Sequence, residues 1–307
     1  MIPHIYSETG RLKKVVLGSA ALMGSTPTLE ECYDAKSYES VQLGIYPQQS
    51  DVREEMTQFR DVLESHGVEV FRPTELDELN QVFARDICMA IGDRFIIPNI
   101  IEDRAEEVNG IQHVISQIHE DHIIELEEGV YVEGGDVMPW KGYLFVGYSP
   151  EDEFNKYKTA RTNEKALNRL RSLFPSMKVR GFQLHKHDTD PREGVLHLDC
   201  CFQPIGTDQA IIYRGGFKHE ADLDFLEHVF GNENLIDVDR EEFYYMFPNV
   251  FSISTEVIVS NSSFTRLNSE LRERGFMVEE IKYDEVSKMG GLLRCSTMPL
   301  IRLDQDK

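Results

Sequence analysis

The order of elements along the chain, more than any single motif, limits what it can fold into. Two apolar strands, a helix and a further strand recur four times, and a fifth set is split between the two ends. Apolar runs rich in β-branched residues alternate with amphipathic stretches, which defines an α/β chain. Asp86 to Ile97 reads as a hairpin turning at Gly92-Asp93. A helix over about 103–118, with Val108, Ile111, Ile115 and Ile118 on one face, and the strand His122 to Leu126 complete that module. The second module has a hairpin over 130–146 around Lys141-Gly142, a helix from about Thr159 to Phe174 and a strand near 178–184. The third runs through 195–213, a helix near 222–230 and Leu235 to Val238. The fourth has a hairpin over 250–260, a helix capped by Ser262 or Ser263 and stopped by Gly275, and a strand over 277–283. The last hairpin, 292–303, has no helix after it. Its missing parts stand at the other end: a strand at Val15 to Gly18, a helix over 51–66 and the strand Val68 to Phe71. That helix carries Val52, Met56, Phe59, Val62 and Leu63 on its apolar face. Hairpins spaced by about 40 to 65 residues and closed through both ends predict one propeller-like ring spanning 1–307.

One segment, about 20–50, belongs to no module and is too long for a plain connection, so a lid or loop is expected there. Acidic residues outnumber basic ones 54 to 32, for a formal charge of -22. Such a field argues against a sequence-independent grip on nucleic acid or an anionic membrane, and it suits a small cationic substrate. No stretch approaches the length of a membrane-spanning helix and no basic, apolar leader opens the chain, so a cytoplasmic protein is expected. The five cysteines (32, 88, 200, 201 and 295) are an odd number without a framework spacing, which points to reduced thiols.

Three module openings carry acid or base residues where ordinary strand residues would do: Asn80-Gln-Val-Phe-Ala-Arg-Asp86, Val132-Glu-Gly-Gly-Asp136 and Leu196-His-Leu-Asp-Cys200. In a strand, His197 and Asp199 would share a face. A fourth opening, Met289-Gly-Gly-Leu-Leu-Arg-Cys295, brings two glycines into a strand expected to hold Cys295 rigidly, and Cys295 is the candidate nucleophile. The structural alternative is a buried strand cysteine. Equivalent positions of a pseudo-symmetric ring converge on its axis, and that convergence favours chemistry. A thiolate attacks carbon, a histidine moves protons and a carboxylate orients the histidine. Two further carboxylates suit a guanidinium, whose planar donors pair with them bidentately. Those carboxylates would raise the Cys295 pKa until a cationic substrate lowers it, so thiolate formation is expected to be substrate-assisted.

The combination Phe-x-Arg-Asp, Glu-Gly-Gly-Asp, His-x-Asp and a late Gly-Gly-x-x-x-Cys resembles the pentein superfamily of guanidino-group-modifying enzymes, over roughly residues 10–303. The resemblance implies a five-fold pseudosymmetric α/β-propeller of ββαβ modules, a cofactor-free and metal-free enzyme, and a dimer or larger homo-oligomer. It implies that Cys295 forms a covalent amidino-thioether, that His197 is the general acid and base, and that Glu133 pairs with His197. Asp86 and Asp199 would hold the guanidinium, Asn80 would bind substrate, and Arg161 would bind the substrate carboxylate. The implied activity is an arginine deiminase-like C–N hydrolase acting on arginine or a similar guanidine, with amidino transfer to an amine as the alternative. The intact His197-x-Asp199 departs from the dimethylarginine branch, and Arg294-Cys-Ser-Thr-Met-Pro-Leu300 leans towards the deiminases. Asp190-Pro191 and Cys201-Phe-Gln-Pro-Ile-Gly206 lean towards the amidinotransferases, so the branch stays open. A non-catalytic guanidine-binding ring is the reading from a different class.

Overall fold

A computed structural model describes residues 1–303. Among the described residues, fifteen strands form five three-stranded sheets. One sheet holds β3 (Met89–Ile91), β4 (Arg94–Ile97) and β5 (Ile123–Glu125), and the next holds β6 (Val137–Trp140), β7 (Tyr143–Tyr148) and β8 (Lys178–Gln183). The third holds β9 (Phe202–Ile205), β10 (Gln209–Ile212) and β11 (Leu235–Asp237), and the fourth holds β12 (Phe251–Ser252), β13 (Val257–Asn261) and β14 (Met277–Ile281). The fifth joins the two ends of the chain: β15 (Thr297–Leu303) runs antiparallel to β1 (Arg11–Leu17), which runs parallel to β2 (Glu69–Phe71). Every sheet therefore repeats one pattern, a central strand antiparallel to one neighbour and parallel to the other. The tight turn makes the antiparallel pair, and only a crossover can deliver the parallel strand. The pseudo-fivefold ring expected from the order of elements is the architecture found.

Local sequence explains the repeat. Lys141 and Gly142 take φ of 44° and 79°, the left-handed pair that a two-residue hairpin turn needs to match strand twist. The helix Gln49–Ser65 sets Val52, Met56, Phe59 and Leu63 on one fully buried stripe, and Phe59 meets Phe251 and Tyr283 edge-on at 5.8 and 5.6 Å. Each such buried side chain contributes about 1.5–3 kcal/mol. Gly67, at φ 74°, ends the helix as expected.

Several local expectations are corrected. The helix over 103–118 is a 3-10 helix, Glu102–Ile111, followed by the short α-helix Gln112–Ile115. Three residues per turn stack positions i and i+3, and Arg104 grips Glu107 in that register at 2.7 Å. Gly110 packs so close to Gln81 that a Cβ there would stand 2.1 Å from its amide nitrogen. The helix Thr265–Glu273 has Phe264 at its N-cap without a side-chain cap, because Ser263 bonds Asp284 instead. His197 and Asp199 do not lie on a strand: Leu198–Cys200 is a single 3-10 turn. Cys295 likewise sits in the turn that leads into β15.

Candidate active site

The irregular segments just ahead of β3, β6, β9, β12 and β15 carry the chemistry. Cys200, Asn249 and Cys295 each stand two residues before the first strand of their sheet, so the ring places them equivalently. Asn249 Nδ2 donates to Cys295 Sγ at 3.2 Å, and its Oδ1 accepts from the Arg294 and Cys295 backbone at 3.0 and 3.2 Å. The Cys295 thiol also points at Asp199 Oδ2, 3.5 Å away. Cys295, Asp199, His197 and Glu133 are all nearly or fully inaccessible to solvent.

His197 and Glu133 meet at 2.8 Å through Nε2 and Oε2. The other ring nitrogen, Nδ1, has no hydrogen-bond partner among the described residues and stands 3.7 Å from Asp86. Gly135 lies under the ring, where a Cβ would approach Nδ1 to 2.7 Å, so the Glu-Gly-Gly-Asp motif uses its second glycine to admit the imidazole. Burial alone pulls the imidazole down, but Asp86, the Glu133 hydrogen bond and Asp136 outweigh it and push His197 up to about 9. Burial also opposes ionisation of Glu133, yet Arg161 and His197 hold its carboxyl well below the usual range. Both shifts favour an imidazolium paired with a carboxylate at neutral pH.

A folded-state pKa above the unfolded value makes His197 stabilising below the ordinary pKa near 6.5, and that contribution disappears as pH rises through about 9. Titration of the His197 ring followed by NMR in the folded protein should give a midpoint near 9. A midpoint at or below the free imidazole value would remove this electrostatic account.

Each carboxylate expected to grip a guanidinium already holds an arginine of the protein. Asp86 accepts from Arg104 at 2.7 Å and from the Gly135 amide at 3.0 Å, and Asp199 accepts from Arg294 at 2.9 Å. Arg161, expected at a substrate carboxylate, instead spends its guanidinium on both Glu133 oxygens at 3.1 and 2.9 Å and on the carbonyls of Lys158 and Tyr33. Its visible role is to orient Glu133. Asn80 caps its own turn by accepting from the Val82 amide at 3.1 Å and lines a cavity of about 400 Å³. Glu31, Glu78, Asp103 and Glu107 share that cavity, which gives a cation an attractive entry.

Asp86, Glu133 and His197 bring ligand atoms within 4.8 Å of one another, enough to consider a metal. Arg104 and Arg161 already neutralise the two carboxylates, and a divalent cation beside two guanidiniums would meet strong repulsion. Burial first, then the Cys200 hydrogen bond and the Asp199 and Asp86 charges, raise the Cys295 thiol well above its ordinary value. These effects favour the protonated thiol.

Sequence reasoning missed Arg104, Asn249 and Glu8. Asn249 could have been found by aligning module four on the position of Cys295. Glu8, 286 residues from its partner Arg294, left no such signal.

Comparison with known proteins bears on the same residues. The profile of the family described as N,N dimethylarginine dimethylhydrolase, eukaryotic, matches residues 34–302. This is the branch that the intact His-x-Asp had not favoured. The uncharacterized protein YkgA of Bacillus subtilis (strain 168) is 29% identical over 299 residues, covering 96% of this chain and 94% of that protein. Among solved structures, the amidinotransferase SxtG from Microseira wollei superposes with a TM-score of 0.78 at 14% identity, covering 99% of this chain and 98% of that one. The N-terminal domain of ArgZ, a cyanobacterial arginine dihydrolase bound to its substrate, superposes with a TM-score of 0.77 at 16% identity, covering 95% and 99%. AgrE, in a ternary complex with ornithine and NAD+, gives 0.78 at 18% identity, and this chain spans 40% of its length and 96% of its own. At these identities the likeness to solved structures is one of fold.

Proposed function

The chain belongs to the N,N dimethylarginine dimethylhydrolase family, within the pentein superfamily of guanidino-modifying enzymes, and from that premise we propose that it hydrolyses a C–N bond of arginine or an arginine-like guanidine, N-methylated forms included, through Cys295. The observation that carries this reading is the sealed contact of the Cys295 thiol with Asp199, in the same site as a charged His197–Glu133 pair. A thiol held in its neutral form beside carboxylates needs a cation to ionise it, and a guanidinium is both that cation and the electrophile.

In the proposed sequence the substrate guanidinium docks beside Asp86 and Asp199, which keep their bonds to Arg104 and Arg294, and the Cys295 proton passes to solvent water as the cation arrives. The thiolate adds to the guanidinium carbon. His197, already protonated, gives its proton to the departing nitrogen, which leaves as ammonia or an amine. The neutral imidazole then takes a proton from water as that water adds to the S-amidino carbon. Collapse expels the thiolate and leaves a ureido product. Glu133 supports both states of the ring, and Arg161 fixes Glu133. Segment 20–50 acts here as the lid: its helix Ala35–Gln42 is capped by Asp34, which packs on Gly290 at the start of the nucleophile segment. At Gly290, φ is 85° and a Cβ would stand 2.2 Å from the Asp34 carboxylate, so that contact requires glycine.

Mass analysis of products from the purified protein and L-arginine or its N-methylated forms, with and without amine acceptors, tests the reading. Citrulline with ammonia or a methylamine is expected. Ornithine formed only when an amine is supplied would overturn hydrolysis in favour of amidino transfer.

A further inference from the structure

The adjacent Cys200 and Cys201 play no part in the proposed reaction, yet their surroundings differ sharply. Cys201 Sγ turns to its own backbone, donating to the Leu198 carbonyl at 3.5 Å. Cys200 Sγ turns the other way, to Asp199 Oδ1 at 3.6 Å, while Cys295 Sγ lies 3.5 Å from Oδ2 of the same carboxylate. The two thiols also lie within hydrogen-bonding reach of each other. One carboxylate thus holds two sulfurs side by side, although they are far apart in the chain.

Cys200 also borders open space. Cys200 lines a narrow cavity of about 50 Å³ between the lid residues Asp34 to Lys36 and Leu196, Phe243 and Met246. A water needs roughly 10–15 Å³ of such space, so a small peroxide fits and a bulky one does not. Cys295 is absent from that lining.

We propose that Cys200 and Cys295 are a modification site in which a small hydroperoxide, entering by this cavity, converts the two thiols into a reversible disulfide that withdraws the nucleophile. In the first step the Cys200 sulfur attacks the peroxide, the O–O bond breaks, and the products are a Cys200 sulfenic acid and an alcohol or water. Sulfur is oxidised by two electrons and the peroxide is reduced by two. In the second step the Cys295 sulfur attacks Cys200, the S–S bond forms, and the hydroxide leaves with the Cys295 proton as water. A dithiol reverses the change with two electrons and two protons. The ionisation order agrees with this sequence. The Cys295 hydrogen bond pulls the Cys200 thiol down, against burial and Asp199, which prevail and leave it raised, whereas burial, the Cys200 hydrogen bond and Asp199 push the Cys295 thiol well above its ordinary value.

The test uses the full-length protein and does not depend on turnover, so its failure is separate from failure of the proposed hydrolysis. After treatment with hydrogen peroxide, alkylation and denaturing mass spectrometry should show a loss of two hydrogens, with alkylatable thiols falling from five to three. Peptide mapping should link Cys200 to Cys295, and dithiothreitol should restore all five thiols. The Cys200→Ala variant should lose the cross-link and the Cys201→Ala variant should keep it. A link between other cysteines, oxygen added at Cys295 without a link, or no oxidation would each overturn the proposal. The mapping on unmodified sequence decides the matter even if a variant fails to fold.

Discussion

Replacing Cys295 with serine is expected to lower kcat/KM by roughly 10⁴-fold or more, because the variant loses the proposed carrier of the amidino group. The hydroxyl that replaces the thiol is far harder to ionise, and the imidazole nearby is not free to help. His197 is held protonated up to about 9, with Glu133 on its Nε2. The side chain would still fit, since Asn249 and Asp199 bond sulfur at 3.2 and 3.5 Å and can bond oxygen with little movement. The loss should therefore fall on kcat with little change in thermal stability. Rapid quench and intact-mass analysis should find an amidino adduct on the unmodified protein and none on Cys295→Ser. Turnover in the variant within about tenfold of the parent would assign the chemistry elsewhere.

Replacing Arg294 with methionine should instead appear as instability. The Arg294 side chain is fully buried and holds two carboxylates at once: Glu8 at 3.0 and 3.1 Å and Asp199 at 2.9 Å. It also donates to the Val137 carbonyl at 2.9 Å. Removing it leaves two buried carboxylates short of a partner, a change that typically costs about 3–5 kcal/mol. For a chain of this size the melting temperature should fall by about 5–8 °C. Acid unfolding supplies a second readout with a definite sign. Burial raises the Glu8 pKa, but Arg294 and Arg85 overcome that and lower it to about 2. Glu8 therefore contributes stability above its unfolded pKa, lost as pH falls through about 2. In Arg294→Met that acid dependence should weaken, and adding Glu8→Gln should recover part of the lost stability. Melts followed by circular dichroism between pH 2 and 7 would check both points; a variant that melts like the parent would mean that the pair is dispensable.

The ring was legible because it is written in periodicities. The stripe Val52, Met56, Phe59 and Leu63 announces a helix whatever surrounds it, and Lys141-Gly142 announces its turn. The site was legible in residue identity but not in geometry. His197-x-Asp199 reads the same on paper whether the backbone is extended or, as found, wound into a 3-10 turn. The charges that set the site's protonation were the least legible. Arg104 looks like an ordinary surface arginine in sequence, Arg161 and Arg294 stand out there only as parts of motifs, and only tertiary packing buries all three against Asp86, Glu133 and Asp199. Gly110 and Gly135 follow the same logic, since each is required by a neighbour remote in the chain.

The bond between Glu8 and Arg294 makes assembly of this site a question of timing. The residue that neutralises the arginine beside the nucleophile is made 286 residues before that arginine. Until β15 docks on β1 and the ring locks, the growing chain therefore carries an unfinished site. The same closure leaves the circle without a privileged origin. A permuted gene opened at an exposed turn of another sheet would encode the same reactive centre with a different order of birth, and its thiol would no longer be shielded by arriving late.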